Sequence, residues 1–174
     1  MLADADSLFT THRDGVFRYL SRIVGQGDAS ELTQEVFLRV ARGPLPPAEP
    51  GARRAWIFSI ARNLALNHVR DDRRRGVAVE LDERPAAPTQ ELSTALAEAL
   101  DRLAPLDRDV FLMREASGLT YDEIAAACEL TPDAVRSRLH RARERLRDVL
   151  GASLDVHRDR GVRLTLPERT RPRE

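Results

Sequence analysis

The helical spacing of apolar residues holds along most of this chain and fails in the middle, from Gly76 to Gln90, GVAVELDERPAAPTQ. That failure limits what the chain can fold into. The segment carries two prolines and the acidic residues Glu80, Asp82 and Glu83, and a helix does not run through such a sequence. It reads as a flexible linker whose reach is roughly 50 Å when extended. A chain of 174 residues suits one medium domain or two small ones. The break selects two, 1–75 and 91–150, joined by a linker at 76–90.

Both blocks read as helical. Hydrophobic residues make up 42% of the chain, enough to build cores, but aromatics are only 5%. The apolar content is mostly Ala, Leu and Val, and Ala and Leu lose little on entering a helix. In the first block, Phe9, Val16, Phe17, Leu20, Ile23 and Val24 fall at helical spacing over residues 4–26. After the break GQGD, Asp28 or Ser30 is placed to cap a second helix to about Arg42, with Leu32, Val36 and Val40 on one face. The segment 43–51, GPLPPAEPG, holds four prolines and two glycines and is predicted to be non-helical. A third helix is predicted from about Ala52 to Arg74. Ile57, Ile60, Ala61 and Leu64 form its stripe, His68 continues it, and Trp56, Phe58, Leu66 and Val69 lie off it. A helix apolar on several sides is buried between neighbours or shared with a partner.

The second block contains ELSTALAEALDRLAP, then LDRDVFLMREASG closed by Gly118, then LTYDEIAAAC, where Thr120 and Glu123 have capping-box spacing. The turn ELT leads into TPDAVRSRLHRARERLR, residues 131–147. Thr131 suits an N-cap, Pro132 the first helical position, and Asp133 the positive end of the helix dipole. At about 100° per residue, Val135, Leu139, Ala142 and Leu146 form a narrow apolar stripe. Arg136, Ser137, His140, Arg141, Glu144 and Arg147 face away from it, and Arg138, Arg143 and Arg145 flank it. An arginine-rich face is often simply solvated. A short capped helix, a tight turn and a second helix with basic residues near its start form a helix-turn-helix, which enters the major groove N-terminus first. Arginine reads guanine bidentately there. Residues 151–174 are polar, charged and proline-bearing, with only VRLTL alternating like a strand, and are expected to be mostly disordered.

Several function classes lack support. The single cysteine, Cys128, permits no internal disulfide, and His12, His68, His140 and His157 are scattered. No nucleophile–base pair, phosphate loop or metal-ligand spacing is visible, so no catalytic residue, metal or cofactor is expected. No apolar run is long enough for a membrane span, and MLADADSLF has no signal-peptide pattern. No membrane insertion and a cytoplasmic location are therefore the expectation.

With both blocks described, the chain resembles the bacterial RNA polymerase sigma factors of the small, extracytoplasmic-function (ECF) type over about residues 5–150. ASELTQEVFLRVAR (29–42) is similar to the core-binding segment of sigma region two. RAWIFSIARNLALNHVRDDRRR (54–75) is similar to its promoter-melting, −10-reading part. GLTYDEIAAACELTPDAVRSRLHRARERLR (118–147) is similar to the −35-reading helix-turn-helix of region four. The resemblance implies an all-α protein of two small helical domains, a region-two bundle and a region-four helix-turn-helix. It implies that Glu31, Gln34, Glu35, Leu38 and Arg39 contact the β′ coiled coil of polymerase core, with the β flap as a second contact. It places Arg62, Asn63, Asn67, Arg70, Arg73 and Arg74 on the −10 element and Arg136, Ser137, Arg138, His140 and Arg141 on the −35 element. Residues 53–75 hold seven arginines against two aspartates, a cationic track suited to single-stranded DNA. The partners implied are polymerase core, promoter DNA and an anti-sigma factor, for a chain that is a monomer when free.

Two departures stand out. The place of the family's base-pocketing loop is taken by GPLPPAEPGA, which has no aromatic, and Glu129 stands where a turn glycine is usual. The acidic ELDE of the linker fits either solvation or nucleic-acid mimicry in a polymerase channel. The formal net charge is zero. Phosphate neutralisation supplies most non-specific DNA affinity, so the chain is expected to bind duplex poorly alone. The alternative is a stand-alone helix-turn-helix regulator.

Overall fold

The computed structural model describes residues 2–76 and 88–159. Among them the fold is all-α: α1 (Leu2–Val24), α2 (Gln26–Arg42), α3 (Pro50–Arg75), α4 (Pro88–Asp101), α5 (Pro105–Glu115), α6 (Tyr121–Cys128) and α7 (Pro132–Asp159). Residues 77–87 of the expected linker lie outside the described residues. So does VRLTL, with the rest of the tail from 160 onward.

In the first unit, α1, α2 and α3 each pack on the other two. Val16, Tyr19 and Leu20 from α1, Val36 from α2, and Ile57, Phe58 and Ala61 from α3 are almost wholly buried. In the second unit α7 packs on α4, α5 and α6. Val110, Met113, Leu119, Ile124, Val135 and Leu139 fill its centre.

Helix starts differ instructively from the sequence reading. α2 begins before Asp28 and Ser30: Gly25, at φ 84°, is its N-cap, no side chain caps it, and Asp28 lies in its first turn. α3 begins at Pro50, inside the segment read as non-helical, because proline suits the first turn of a helix while breaking its interior. Glu49 caps it, accepting from the Ala52 amide at 2.5 Å. α4 likewise starts on a proline, inside the expected linker. α7 runs past residue 150, where the sequence reading ended it. Val149 prolongs the apolar stripe and packs on the core, and no proline follows before Pro167.

The two units are docked on each other. α3 packs on α6 and α1 touches α5. At the centre, Asp109 of α5 is 4% exposed. It accepts from the Tyr19 hydroxyl at 3.0 Å and from Arg62 Nε at 2.9 Å. Tyr19 is itself fully buried and meets Phe58 edge to face at 5.9 Å. Burial raises the Asp109 carboxyl above its ordinary pKa, opposed by Tyr19 and Arg62. Burial also pushes the Tyr19 phenol well up.

The turn between α6 and α7 puts Glu129 at φ 56°, ψ 46°, a left-handed conformation that disfavours any side chain. Glu129→Gly is expected to stabilise the fold by about 0.5–1 kcal/mol, read as a higher urea midpoint with unchanged slope. A lower midpoint would show that the glutamate side chain contributes more than the backbone strain removes.

Candidate nucleic-acid interface

Local hydrogen bonds fix how α7 leaves its turn. The Thr120 hydroxyl accepts from the Glu123 amide at 3.2 Å, and the Glu123 carboxylate accepts from the Thr120 amide at 2.7 Å. This is the capping box expected from T-x-x-E. The Leu130 amide closes the turn on the Ala125 carbonyl at 2.8 Å. Thr131 then caps α7, its hydroxyl accepting from the Ala134 amide at 3.2 Å.

The expected stripe of α7 is the buried one: Val135, Leu139, Ala142 and Leu146 are each at most 5% exposed. Turning them inward leaves Arg136, Ser137, His140 and Arg141 exposed along one side of the helix. Arg136 pairs with Asp133 and lies over the Tyr121 ring, 5.8 Å from its centroid. His140 meets Glu144 at 3.4 Å. Arg141 makes no ion pair among the described residues. Arg138 differs from these: it is half-buried and donates to Asp107 at 2.7 Å, tying α7 to α5. Arg143 makes a similar tie to Glu115 at 2.6 Å.

On α3, Asn63, Asn67, Arg70, Arg73 and Arg74 are exposed. Asn67 accepts from Arg70 at 3.0 Å, and Arg74 lies 3.9 Å from Asp71. Gly76 ends the helix in a left-handed conformation. The structure thus groups five of the six expected −10 residues on an open, cationic end. Arg62 is set apart by its bond to Asp109. Trp56 is half-buried against the core.

His68 is half-buried rather than packed into the core. Its Nε2 lies 3.2 Å from Asp28 and 3.1 Å from Asp72, clamping the start of α2 to the end of α3. These three side chains bring one ligand atom each within 4.8 Å of one another. The His68–Asp72 spacing of four was visible in the sequence; the part played by Asp28 was not.

The expected polymerase-contact residues Glu31, Gln34, Leu38 and Arg39 share the exposed side of α2. Leu38, 46% exposed, is one of few large apolar side chains left open. Glu35 is half-buried and holds Arg39 at 2.7 Å.

Sequence reasoning did not find the residues that join the two units. Arg54 donates to the carbonyls of Ser117 and Gly118 and reaches Glu123 at 3.5 Å. Beside it, His12 has a lowered pKa, first through burial and then through Arg54 and Arg53, with Glu123 opposing. These partners lie far apart along the chain, and no local pattern announces them.

Cys128 is buried, its thiol directed at Met113 Sδ at 3.8 Å. Burial pushes its pKa from 9.0 up to about 11. Raising a thiol pKa lowers the thiolate fraction below it, so native Cys128 holds about a hundredth of the usual thiolate at pH 8. Reaction with a thiol reagent at pH 8 is expected to be slow in the folded chain and fast in urea. Equal rates would contradict a buried, inert thiol.

Comparison with known proteins gives matches along both units. The family described as sigma-70 region 2 matches residues 8–75, and sigma-70, region 4 matches residues 93–146. The chain is 38% identical over 160 residues to the ECF RNA polymerase sigma factor SigE of Mycolicibacterium smegmatis. That match covers 83% of this chain but 61% of SigE, so the chain spans about three fifths of that relative. It is 33% identical to the RNA polymerase sigma factor CarQ of Myxococcus xanthus, over 84% of this chain and 88% of CarQ. The sigma factor RpoE of Bartonella quintana, solved with the anti-sigma factor NepR, shares the fold. Its TM-score is 0.66 at 22% identity, covering 85% of this chain and 97% of RpoE.

Proposed function

Because the chain belongs to the RNA polymerase sigma factors of the sigma-70 family, in their ECF type, we propose that it joins polymerase core and directs initiation by reading two promoter elements. The observation that carries this reading is the presence of two separate exposed polar and basic faces on one chain, which we assign to nucleic acid. One is the exposed side of α7, with Arg136, Ser137, His140 and Arg141. The other is the end of α3, with Asn63, Asn67, Arg70, Arg73 and Arg74.

The two faces suit different forms of DNA. α7 presents its basic side chains from its N-terminal turns, as a helix entering the major groove does. Arg141 is unpaired among the described residues, so it is the best placed to read guanine. The α3 end offers amides and guanidiniums without a groove-sized helix–turn frame, which suits an opened strand. Arg138 is a positioning residue in this reading: it fixes α7 against α5 and reaches DNA only if it leaves Asp107. The polar side of α2, with Leu38 exposed among Glu31, Gln34 and Arg39, suits a helix of the β′ coiled coil, because partner surfaces mix polar residues around an apolar contact. The β flap is the proposed partner of the C-terminal unit. An anti-sigma factor is a further proposed partner, in keeping with the RpoE complex.

The zero net charge favours this reading over a stand-alone regulator, since duplex affinity rests largely on phosphate neutralisation. Purified core plus this protein is expected to give run-off transcripts from a defined promoter, and the two are expected to co-purify. Tight binding to that promoter without core, with no association with core, would overturn the proposal in favour of the regulator.

Single substitutions separate reading from positioning. Arg141→Ala is expected to lower promoter use by about 1–3 kcal/mol and to relax preference in the upstream box. Arg138→Ala is expected instead to lower the stability of the C-terminal unit, because it strands the buried Asp107 carboxylate. Equal loss from Arg141→Ala on every upstream sequence would assign Arg141 to phosphate.

A further inference from the structure

His68 stands one helical turn before Asp72 on α3, so both side chains leave the same face of the helix. Asp28 comes to them from the first turn of α2. Nε2 of His68 lies 3.2 Å from Asp28 Oδ2 and 3.1 Å from Asp72 Oδ2. Among the described residues this is the one place where three such side chains each bring a ligand atom within 4.8 Å of the others. The sequence shows no metal-ligand spacing here because the third group comes from another helix, 40 residues from His68.

Three features of this meeting point suit a metal ion. The first is the hydrogen count. Two carboxylates converge on a single ring nitrogen, and that nitrogen carries at most one hydrogen. A proton there serves one carboxylate and leaves the other facing the ring without a donor, whereas a metal ion bound to Nε2 serves both. The second is spacing. Bonds of about 2.0–2.2 Å from zinc to nitrogen and oxygen put neighbouring tetrahedral ligands roughly 3.3–3.6 Å apart. Two edges of the triangle, at 3.2 and 3.1 Å, are already close to that. The third, from Asp28 to Asp72, is closed by rotating Asp28, whose side chain is 55% exposed. The third feature is the donor set. Imidazole favours zinc, nickel and copper, whereas magnesium and calcium take oxygen ligands.

We propose that Asp28, His68 and Asp72 bind one divalent transition-metal ion of the zinc class, with water completing its coordination. The ion ties the start of α2 to the end of α3. These helices carry the proposed polymerase-facing and opened-strand residues, but binding at this site does not rest on that function.

Untagged full-length protein, stripped with a chelator and titrated with Zn²⁺ alone, tests the site. Calorimetry is expected to give one ion per chain, and Zn²⁺ is expected to raise the thermal unfolding midpoint. Loss of an outer-shell partner already weakens metal binding roughly 10–100-fold, so His68→Ala is expected to weaken it by at least about 100-fold. Asp28→Asn, at an exposed position, keeps the fold and is expected to lose most of the midpoint gain. Co²⁺ is expected to give visible absorption bands that vanish in His68→Ala and persist in Cys128→Ala. Absence of saturable Zn²⁺ binding would overturn the proposal and leave a simple ion-pair clamp. Equal binding by wild type and both ligand variants would also overturn it, as would Mg²⁺ raising the midpoint as much as Zn²⁺ at the same concentration. None of these readouts uses DNA or polymerase, so a failure here is distinct from a failure of the promoter-reading proposal.

Discussion

One buried carboxylate organises this molecule. Asp109 sits almost out of reach of water, and its two partners, Tyr19 and Arg62, come from the other unit. A charge in that position is tolerated only where donors meet it. Its acidity is weakened by burial in spite of both donors, so ionised Asp109 remains a cost to the docked state at neutral pH. Where α3 packs on α6 and α1 touches α5, this group and the carbonyls of Ala116, Ser117 and Gly118 supply the polar contacts between the units. The apolar core, by contrast, is one cluster that runs through both units, with Ile57 and Phe58 on the side of the first and Met113 and Leu139 on the side of the second.

The same division of labour explains the arginines of α7. Six of them lie in residues 131–147, yet they do not form one surface. Arg138 and Arg143 are tied back to α5 by Asp107 and Glu115. Arg136 rests on Tyr121 and Asp133. What remains open for a partner is narrower than the sequence suggests, and it is centred on Ser137, His140 and Arg141. Within a chain of zero net charge, the proposed reading of DNA by this face relies on delivery rather than on general attraction.

How much of this could be read in advance depended on distance along the chain. The capping box of Thr120 and Glu123, the Thr131 cap and the stripe of α7 were all legible, because each is decided within a few residues. Pro50 was misread as a break because proline is also a favoured first residue of a helix. The roles of Arg62, Arg138 and His68 were hidden for a different reason. Their partners Asp109, Asp107 and Asp28 lie 47, 31 and 40 residues away, and only the packed fold brings them within reach. Expected reading residues therefore divided into exposed ones and anchored ones along a line that periodicity does not draw.

The central claim is that one chain reads two separated promoter boxes through two helical units. Mapping the 5′ ends of transcripts after overexpression addresses it most directly. Induced start sites are expected to share two short sequence elements at a constant spacing, near ten and thirty-five base pairs upstream. Induced starts sharing a single box, or a palindromic duplex site with no fixed distance to the start, would contradict it.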